Sequence, residues 1–135
     1  MIHLKAFDPL RGSFIRPARK KFTSTPVLWN NDAAHTATAL PLPGTENFGS
    51  AVAINNLGQI IGISGVATIG SPFSVTGIHT VVWRDGGVFD LTSLLDPVSG
   101  AGWVITSAAS INNLGQIVGQ GTFNGVAMPY VMTPQ

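Results

Sequence analysis

A thirteen-residue segment occurs twice in this chain of 135 residues. Residues 50–62 read SAVAINNLGQIIG and residues 107–119 read SAASINNLGQIVG, with ten of the thirteen positions identical. A segment copied this closely indicates one structural unit that forms twice. The sequence therefore predicts an array of repeats.

Each copy of the segment has the pattern of a β-hairpin. In the first copy, apolar and small residues at 50–54 and 59–65 flank the sequence Asn-Asn-Leu-Gly at 55–58. Asparagine favours the start of a type I turn because its side chain bonds nearby backbone amides, and glycine suits the left-handed position that closes the loop. The same four residues recur at 112–115. We predict a structural role for these asparagines, and ligand binding by a ladder of asparagines is the alternative.

A second recurring element is a strand that ends in an aromatic residue. Trp29, Trp83 and Tyr130 occupy this position in three successive copies. Another strand follows in the first two copies, and Asp85-Gly86 in the second copy is a strong signal for a tight turn. One unit thus has four short strands. We predict that the three aromatic side chains belong to the core, with a sugar-stacking platform as the alternative.

The composition favours an all-β fold. Charged residues make up only 10% of the chain, against about 25% in a typical domain. Sixteen glycines and nine prolines are typical of short strands joined by many turns. The chain has no cysteine, which excludes disulfide bonds and thiolate chemistry.

Four strands at a period of about 40 to 50 residues are typical of a β-propeller blade. We therefore predict an all-β repeat protein of four-stranded propeller-like blades, with about two blades and the first strand of a third. The predicted organisation is a basic N-terminal arm at 1–25 and a β-repeat domain at 26–135, with blade 1 at about 26–65, a long loop at 66–78, blade 2 at about 79–123 and a partial third repeat at 126–134.

The N-terminal arm is strongly basic. It carries six of the seven basic residues, namely Lys5, Arg11, Arg16, Arg19, Lys20 and Lys21. A solvated leader, a remnant of a fused or truncated gene and a strand-bearing segment are three interpretations, and the alternation at 3–7 predicts one short strand. No aromatic residue interleaves with the cluster at 16–21 to stack on bases, so a nucleic-acid or membrane partner stays open without a clear signal. We find neither the apolar core of a signal peptide at the N-terminus nor an apolar run long enough to span a membrane.

The repeated segment, together with Asp90-Leu91 and the aromatic strands, resembles the HAF-repeat family of extracellular bacterial proteins. The family's pattern is an aromatic strand, an Asp-Leu strand, Ala-Ile-Asn, a turn and Gly-Gln-Val-Val-Gly, and residues 54–62 and 111–119 match its core closely. The resemblance covers about residues 26–135 and leaves the basic arm unexplained. It implies a secreted or surface-associated propeller-like protein, and it transfers no catalytic residue.

The residues that could carry chemistry form no recognised motif. The chain has three histidines, His3, His35 and His79. They fall at non-equivalent repeat positions and lack the spacing of metal ligands. Asp85, Asp90 and Asp96 could offer oxygen atoms to a calcium ion, although hairpin turns and strands alone would produce the first two. We predict no catalytic residue, no cofactor, no metal site and no enzymatic activity; a propeller-based hydrolase with paired carboxylates is a further alternative.

Two blades cannot close a propeller, which needs about four to eight, and an open stack would expose apolar faces to water. We predict a homo-oligomer, for example a ring of three or four copies; a fragment of a longer array and a compact barrel or sandwich are the alternatives.

The predicted function is a non-enzymatic structural or interaction module that presents loops to a glycan or a surface protein, with a carbohydrate-binding lectin as the alternative. Trp103 has no counterpart in the first copy, and we predict that it is exposed and contacts a ligand.

Overall fold

The computed structural model describes residues 3–7, 23–30, 32–70 and 72–135, and for residues 3–7 the backbone alone. Within these residues the fold is all-β, which confirms the class that the composition predicts. The strands are β1 (His3–Phe7), β2 (Thr25–Trp29), β3 (Ala37–Ala39), β4 (Phe48–Ile54), β5 (Ile60–Thr68), β6 (Ser74–Arg84), β7 (Gly87–Asp90), β8 (Trp103–Ile111), β9 (Ile117–Phe123) and β10 (Val126–Met132), with a 3-10 helix at Thr92–Leu94. None of the helical structure described is long and apolar enough to cross a membrane.

The described strands form three antiparallel sheets. Their strand orders are β1-β2-β3 in the first sheet, β4-β5-β6-β7 in the second and β8-β9-β10 in the third. The two copies of the repeated segment supply β4-β5 and β8-β9, and an aromatic strand, β6 or β10, comes next in each sheet. Equivalent parts of the sequence therefore occupy equivalent places in the second and third sheets.

The N-terminal arm contributes one strand to the first sheet. β1 lies at the residues whose alternation predicts a strand, and it pairs with β2 from His3 opposite Trp29 to Phe7 opposite Thr25. The other basic residues of the arm lie outside the described residues: Arg11, Arg16, Arg19, Lys20 and Lys21.

The sheets are out of phase with the predicted units. The predicted blade begins with the aromatic strand, but in the second sheet this strand, β6, is third and follows the hairpin β4-β5. Residues 66–78, which we expect from their composition to form a long loop, are mostly strand, because β5 continues to Thr68 and β6 begins at Ser74. The strands approach closely here, since a Cβ atom on Gly65 would lie 2.9 Å from the carbonyl oxygen of Thr76. Glycine thus permits close pairing in a segment whose composition resembles that of a loop.

By its contacts the chain divides into two compact units, residues 1–51 with 64–78 and residues 52–63 with 79–135. In the first unit, Val27 and Leu40 are buried. The side chain of Asn47 pairs with the backbone of Ala67 as a neighbouring strand would. Asn47 Nδ2 donates to the Ala67 carbonyl oxygen at 3.0 Å, and Asn47 Oδ1 accepts from the Ala67 backbone amide at 2.7 Å. One side chain therefore satisfies both backbone groups of a buried residue in β5.

The second unit contains a hydrophobic core. Its buried members are Ile61, Val82, Leu91, Ile105, Ala108, Ile111, Ile117 and Tyr130. Strand pairing places Tyr130 opposite Gly119 and Met132 opposite Ile117, so these side chains share the face of the third sheet that packs into this core. Ile61 and Val82 reach the same core from β5 and β6.

The aromatic strands place their aromatic residues at different depths. Trp83 and Tyr130 are 2% and 9% exposed, which confirms the predicted core role for these two, whereas Trp29 is half-buried. The Tyr130 hydroxyl donates a hydrogen bond to the Ser107 carbonyl at 2.8 Å. This bond provides the polar partner that a buried tyrosine requires.

Candidate functional site

The first Asn-Asn-Leu-Gly turn has the geometry that its sequence predicts. Asn55 Oδ1 accepts hydrogen bonds from the backbone amides of Leu57 and Gln59, both at 3.0 Å. Its Nδ2 donates to Gln59 Oε1 at 2.8 Å. Gly58 has a φ of 78°, in the left-handed region that favours glycine. The predicted structural role of this asparagine is confirmed.

The second turn repeats these contacts. Asn112 Oδ1 accepts from the amides of Leu114 at 3.0 Å and Gln116 at 2.9 Å, and Asn112 Nδ2 donates to Gln116 Oε1 at 2.8 Å. Gly115 has a φ of 79°. The identity between the two segments therefore reflects the same turn chemistry in both copies.

The two turns also bind each other. Asn55 Nδ2 donates to the carbonyl oxygen of Asn112 at 2.9 Å, and the backbone amide of Asn56 donates to Asn113 Oδ1 at 2.8 Å. We call these four residues the asparagine ladder. Asn55, which is covered by the second turn, is only 6% exposed, whereas Asn112 is exposed. This contact cannot be predicted from the sequence, because turn chemistry defines each hairpin but not which hairpins lie next to each other in the fold.

A cavity of about 640 Å³ lies in the second unit, beside β10. Leu91, Leu95, Ile105 and Tyr130 contribute much of its apolar lining, and the polar lining includes Arg84, Asp96 and Gln59. Among the residues whose side chains are described, Arg84 is the only lysine or arginine. Its guanidinium lies 5.1 Å from the centre of the Phe89 ring, a cation–π contact. The cavity therefore has a mixed polar and apolar lining, with Arg84 as its cation.

Trp103 also lines this cavity, but it is less exposed than we expect from its position in the sequence. It is half-buried and packs against the core of the second unit. Its ring centre lies 5.5 Å from that of Phe123, with the planes tilted by 41°. The two residues face each other across β8 and β9, so cross-strand packing covers part of the indole. Ligand contact by Trp103 stays a prediction.

The aspartates considered as calcium ligands serve local turns. Asp96 Oδ2 accepts from the amides of Ser99 at 2.8 Å and Val98 at 3.1 Å. Hydrogen bonds from Ser99, backbone first, hold the pKa of the Asp96 carboxyl below its ordinary value. Asp85 forms a tight turn with Gly86, at φ values of 51° and 76°. Within the described residues, no group of three His, Cys, Asp or Glu side chains has the arrangement of a metal site.

Both carboxylate oxygens of Asp90 form hydrogen bonds. Its Oδ1 accepts from the Thr92 amide at 2.8 Å, at the start of the 3-10 helix, and its Oδ2 lies 2.6 Å from His79 Nδ1. Of the other histidines, His3 lies in β1 and His35 in a turn at a φ of 49°. The sequence does not reveal the His79–Asp90 pair because the two residues come from different strands of a hairpin.

The hydroxyl group of Ser64 is buried in the first unit. Its Oγ is hydrogen-bonded to Glu46 and lies 3.1 Å from the Phe48 carbonyl oxygen. The residue is 0% exposed, so a substrate does not reach it. We interpret this pair as a structural contact within the first unit.

Comparison with protein-family models, with curated proteins and with solved structures gives no match for this chain. The asparagine ladder and the cavity lined by Trp103 are therefore the features from which a function can be inferred.

Proposed function

We propose that this chain is a non-enzymatic structural or interaction module, in which propeller-like repeats form a scaffold that oligomerisation completes. The observation that supports this most is the asparagine ladder, because turns 57 residues apart bind each other through equivalent residues. Repeats that stack side by side in this way are what a propeller or a related array requires. Loops of the scaffold then present contacts to a partner.

Oligomerisation follows from the number of sheets. A propeller closes with about four to eight blades, and the described part of one chain supplies three sheets, of which one has four strands. Two copies would bring the number of sheets into the range for closure. Assembly would also cover apolar surface that is otherwise in contact with water.

The setting we propose is extracellular or at the cell surface, where the partner is a glycan or a surface protein. The support for this is the resemblance of residues 54–62 and 111–119 to the core of the HAF repeat. The few charged side chains of the repeat region are consistent with recognition through neutral loops rather than through a strong electrostatic field.

The test of the proposed function is the mass of the full chain in solution, measured by light scattering over a range of concentrations. We expect a defined multiple of the chain mass. A stable monomer at every concentration would overturn the proposal and leave a small, self-contained β fold.

A carbohydrate-binding, lectin-like function is a second candidate, because Trp103 lines a cavity that also contains polar side chains. Indole rings provide a flat apolar surface with a polar edge, which suits the apolar face of a sugar ring. A glycan array followed by titration would test this candidate, with Trp103→Ala expected to abolish binding and Phe73→Ala, an exposed aromatic residue outside the cavity, expected to leave it unchanged. A chain that binds no glycan on the array would exclude it.

A further inference from the structure

The third sheet has a face of valines together with the polar Gln120 and Thr122 that the described residues do not cover. Strand pairing places Val131 opposite Val118, and Val104 and Ala127 opposite Thr122, so these side chains lie on the face away from the core. We call this the outer face of the third sheet. Three of its valines, Val104, Val118 and Val131, are 53%, 40% and 67% exposed. Its residues include no charged side chain.

The equivalent face of the second sheet is buried. Val118 corresponds to Ile61 in the repeated segment, and Pro129 corresponds to Val82 in the aromatic strand. Ile61 and Val82 are 0% and 4% exposed, because they pack in one core with residues of the third sheet. The same position is thus covered on the second sheet and open on the third, the last sheet of the described residues.

The asparagine ladder gives an independent indication that the third sheet has an uncovered side. The first turn donates to the second through Asn55 Nδ2 and the Asn56 amide. The corresponding donors of the second turn belong to Asn112 and Asn113. Asn112 is exposed, whereas Asn55 is 6% exposed; Asn56 and Asn113 are both exposed. In the part of the chain that is described, no third turn covers them.

The first sheet has the complementary asymmetry. Trp29 occupies the position of Tyr130, which is a buried member of the core. Trp29 is half-buried, whereas Trp83 and Tyr130 are buried. Val27, two residues earlier on the same face, is 2% exposed, so this face is covered at Val27 and partly open at Trp29.

We propose that the outer face of the third sheet is a docking surface for a second copy of this chain, which binds through the Trp29 face of its first sheet. This inference rests on the proposed function, since it specifies the contact through which the module assembles. The contact repeats between chains the sheet packing that already exists within the second unit. It is heterologous, so a series of such contacts either closes into a ring or continues as a filament.

The decisive variants place a charge on the outer face. Val118→Glu and Val131→Glu are expected to dissociate the oligomer, raising the dissociation constant at least about tenfold, because an unpaired carboxylate would be buried in an apolar contact. Val98→Glu is the matched control, since Val98 is 85% exposed in a turn outside this face and the substitution changes the charge equally. Light scattering gives the mass, and circular dichroism verifies that each variant is folded.

A mixing experiment tests the head-to-tail geometry. A Val118→Glu chain keeps its Trp29 face, and a Trp29→Ser chain keeps its outer face, so an equimolar mixture is expected to form a heterodimer that neither chain forms alone. If Trp29→Ser does not fold, the two valine variants still decide the outcome. A monomeric wild type would overturn both this inference and the proposed function. An oligomeric wild type that Val118→Glu and Val131→Glu leave intact would overturn this inference alone.

Discussion

Each asparagine of the repeated segment has a contact set that depends on its place in the ladder. Asn55 and Asn112 make the same bonds within their own turns, but only Asn55 also donates to the other turn. Identical residues at equivalent positions are therefore expected to differ in their contribution to stability, and this difference is measurable.

Asn55→Asp is expected to lower the free energy of unfolding by about 1–3 kcal/mol, because it keeps the Oδ1 cap but removes a donor from a buried hydrogen bond. Asn112→Asp is the matched control, since its Nδ2 donates only within its own exposed turn among the described contacts. Urea unfolding of the two variants would measure the difference. Equal losses would contradict an energetic role for the contact between turns.

Tyr130 is the only tyrosine in the chain, so its ionisation can be followed without interference from another phenol. Burial raises the pKa of Tyr130 to about 12, from an ordinary value of 10.0. Because the folded pKa lies above the unfolded one, the stability contributed by the neutral phenol is complete below pH 10 and is lost as the pH rises toward 12. We expect the ultraviolet tyrosinate signal to appear near pH 12 or with unfolding; a reversible transition at pH 10 in folded protein would contradict the burial.

Residue chemistry in the sequence predicts the turns better than it predicts contacts between distant residues. The side-chain caps of Asn55 and Asn112 follow from bonding within four residues, which the sequence displays directly. The bond from Asn55 to Asn112, the His79–Asp90 pair and the partial burial of Trp103 depend on how separate strands meet. No local sequence pattern predicts these contacts between strands.

At the scale of elements, the central strand of the third sheet depends on a glycine without a side chain. A Cβ atom on Gly119 would collide with the Ser107 carbonyl oxygen and lie 2.8 Å from the Tyr130 hydroxyl. The glycine thus permits β8 and β10 to pack closely against β9 and leaves room for the buried phenol.

Gly119→Ala is expected to destabilise the protein by about 1–3 kcal/mol, because the backbone of β8 or the Tyr130 ring must move to admit the methyl group. Gln120→Ala, at the neighbouring exposed position of β9, is the control and is expected to change stability little. Thermal unfolding of both variants would test this. A Gly119→Ala variant as stable as the wild type would show that the sheet relaxes without cost.

The sequence does not predict which strand of the repeated unit comes first in each sheet. A repeat of four strands has the same period whichever strand is counted first, so the pattern predicts the unit but not where a sheet begins. Hydrogen bonding between β5 and β6 decides it, by joining the end of one sequence unit to the start of the next. The same pairing explains why residues 66–78 are mostly strand despite their glycine, serine and proline.

At the scale of the whole molecule, the proposed assembly has a defined response to salt. The outer face of the third sheet has no charged residue. It therefore forms no ion pair with the Trp29 face, where Lys5 lies opposite Val27 by register, and salt has no attraction to screen. We expect the mass in solution to be unchanged between low salt and about 1 M sodium chloride, and to shift toward larger species in sulfate, which strengthens apolar association. Dissociation in sodium chloride would instead indicate a contact made by charged residues, such as those of the basic arm.

The offset between sequence unit and sheet also bears on how such a chain can lengthen. Because the first two strands of a unit complete one sheet and its last two begin the next, duplication of one unit inserts a full sheet in the interior. The surfaces on either side of the insertion keep their residues. A gene of this kind can therefore gain or lose copies by recombination while the proposed contact faces remain the same.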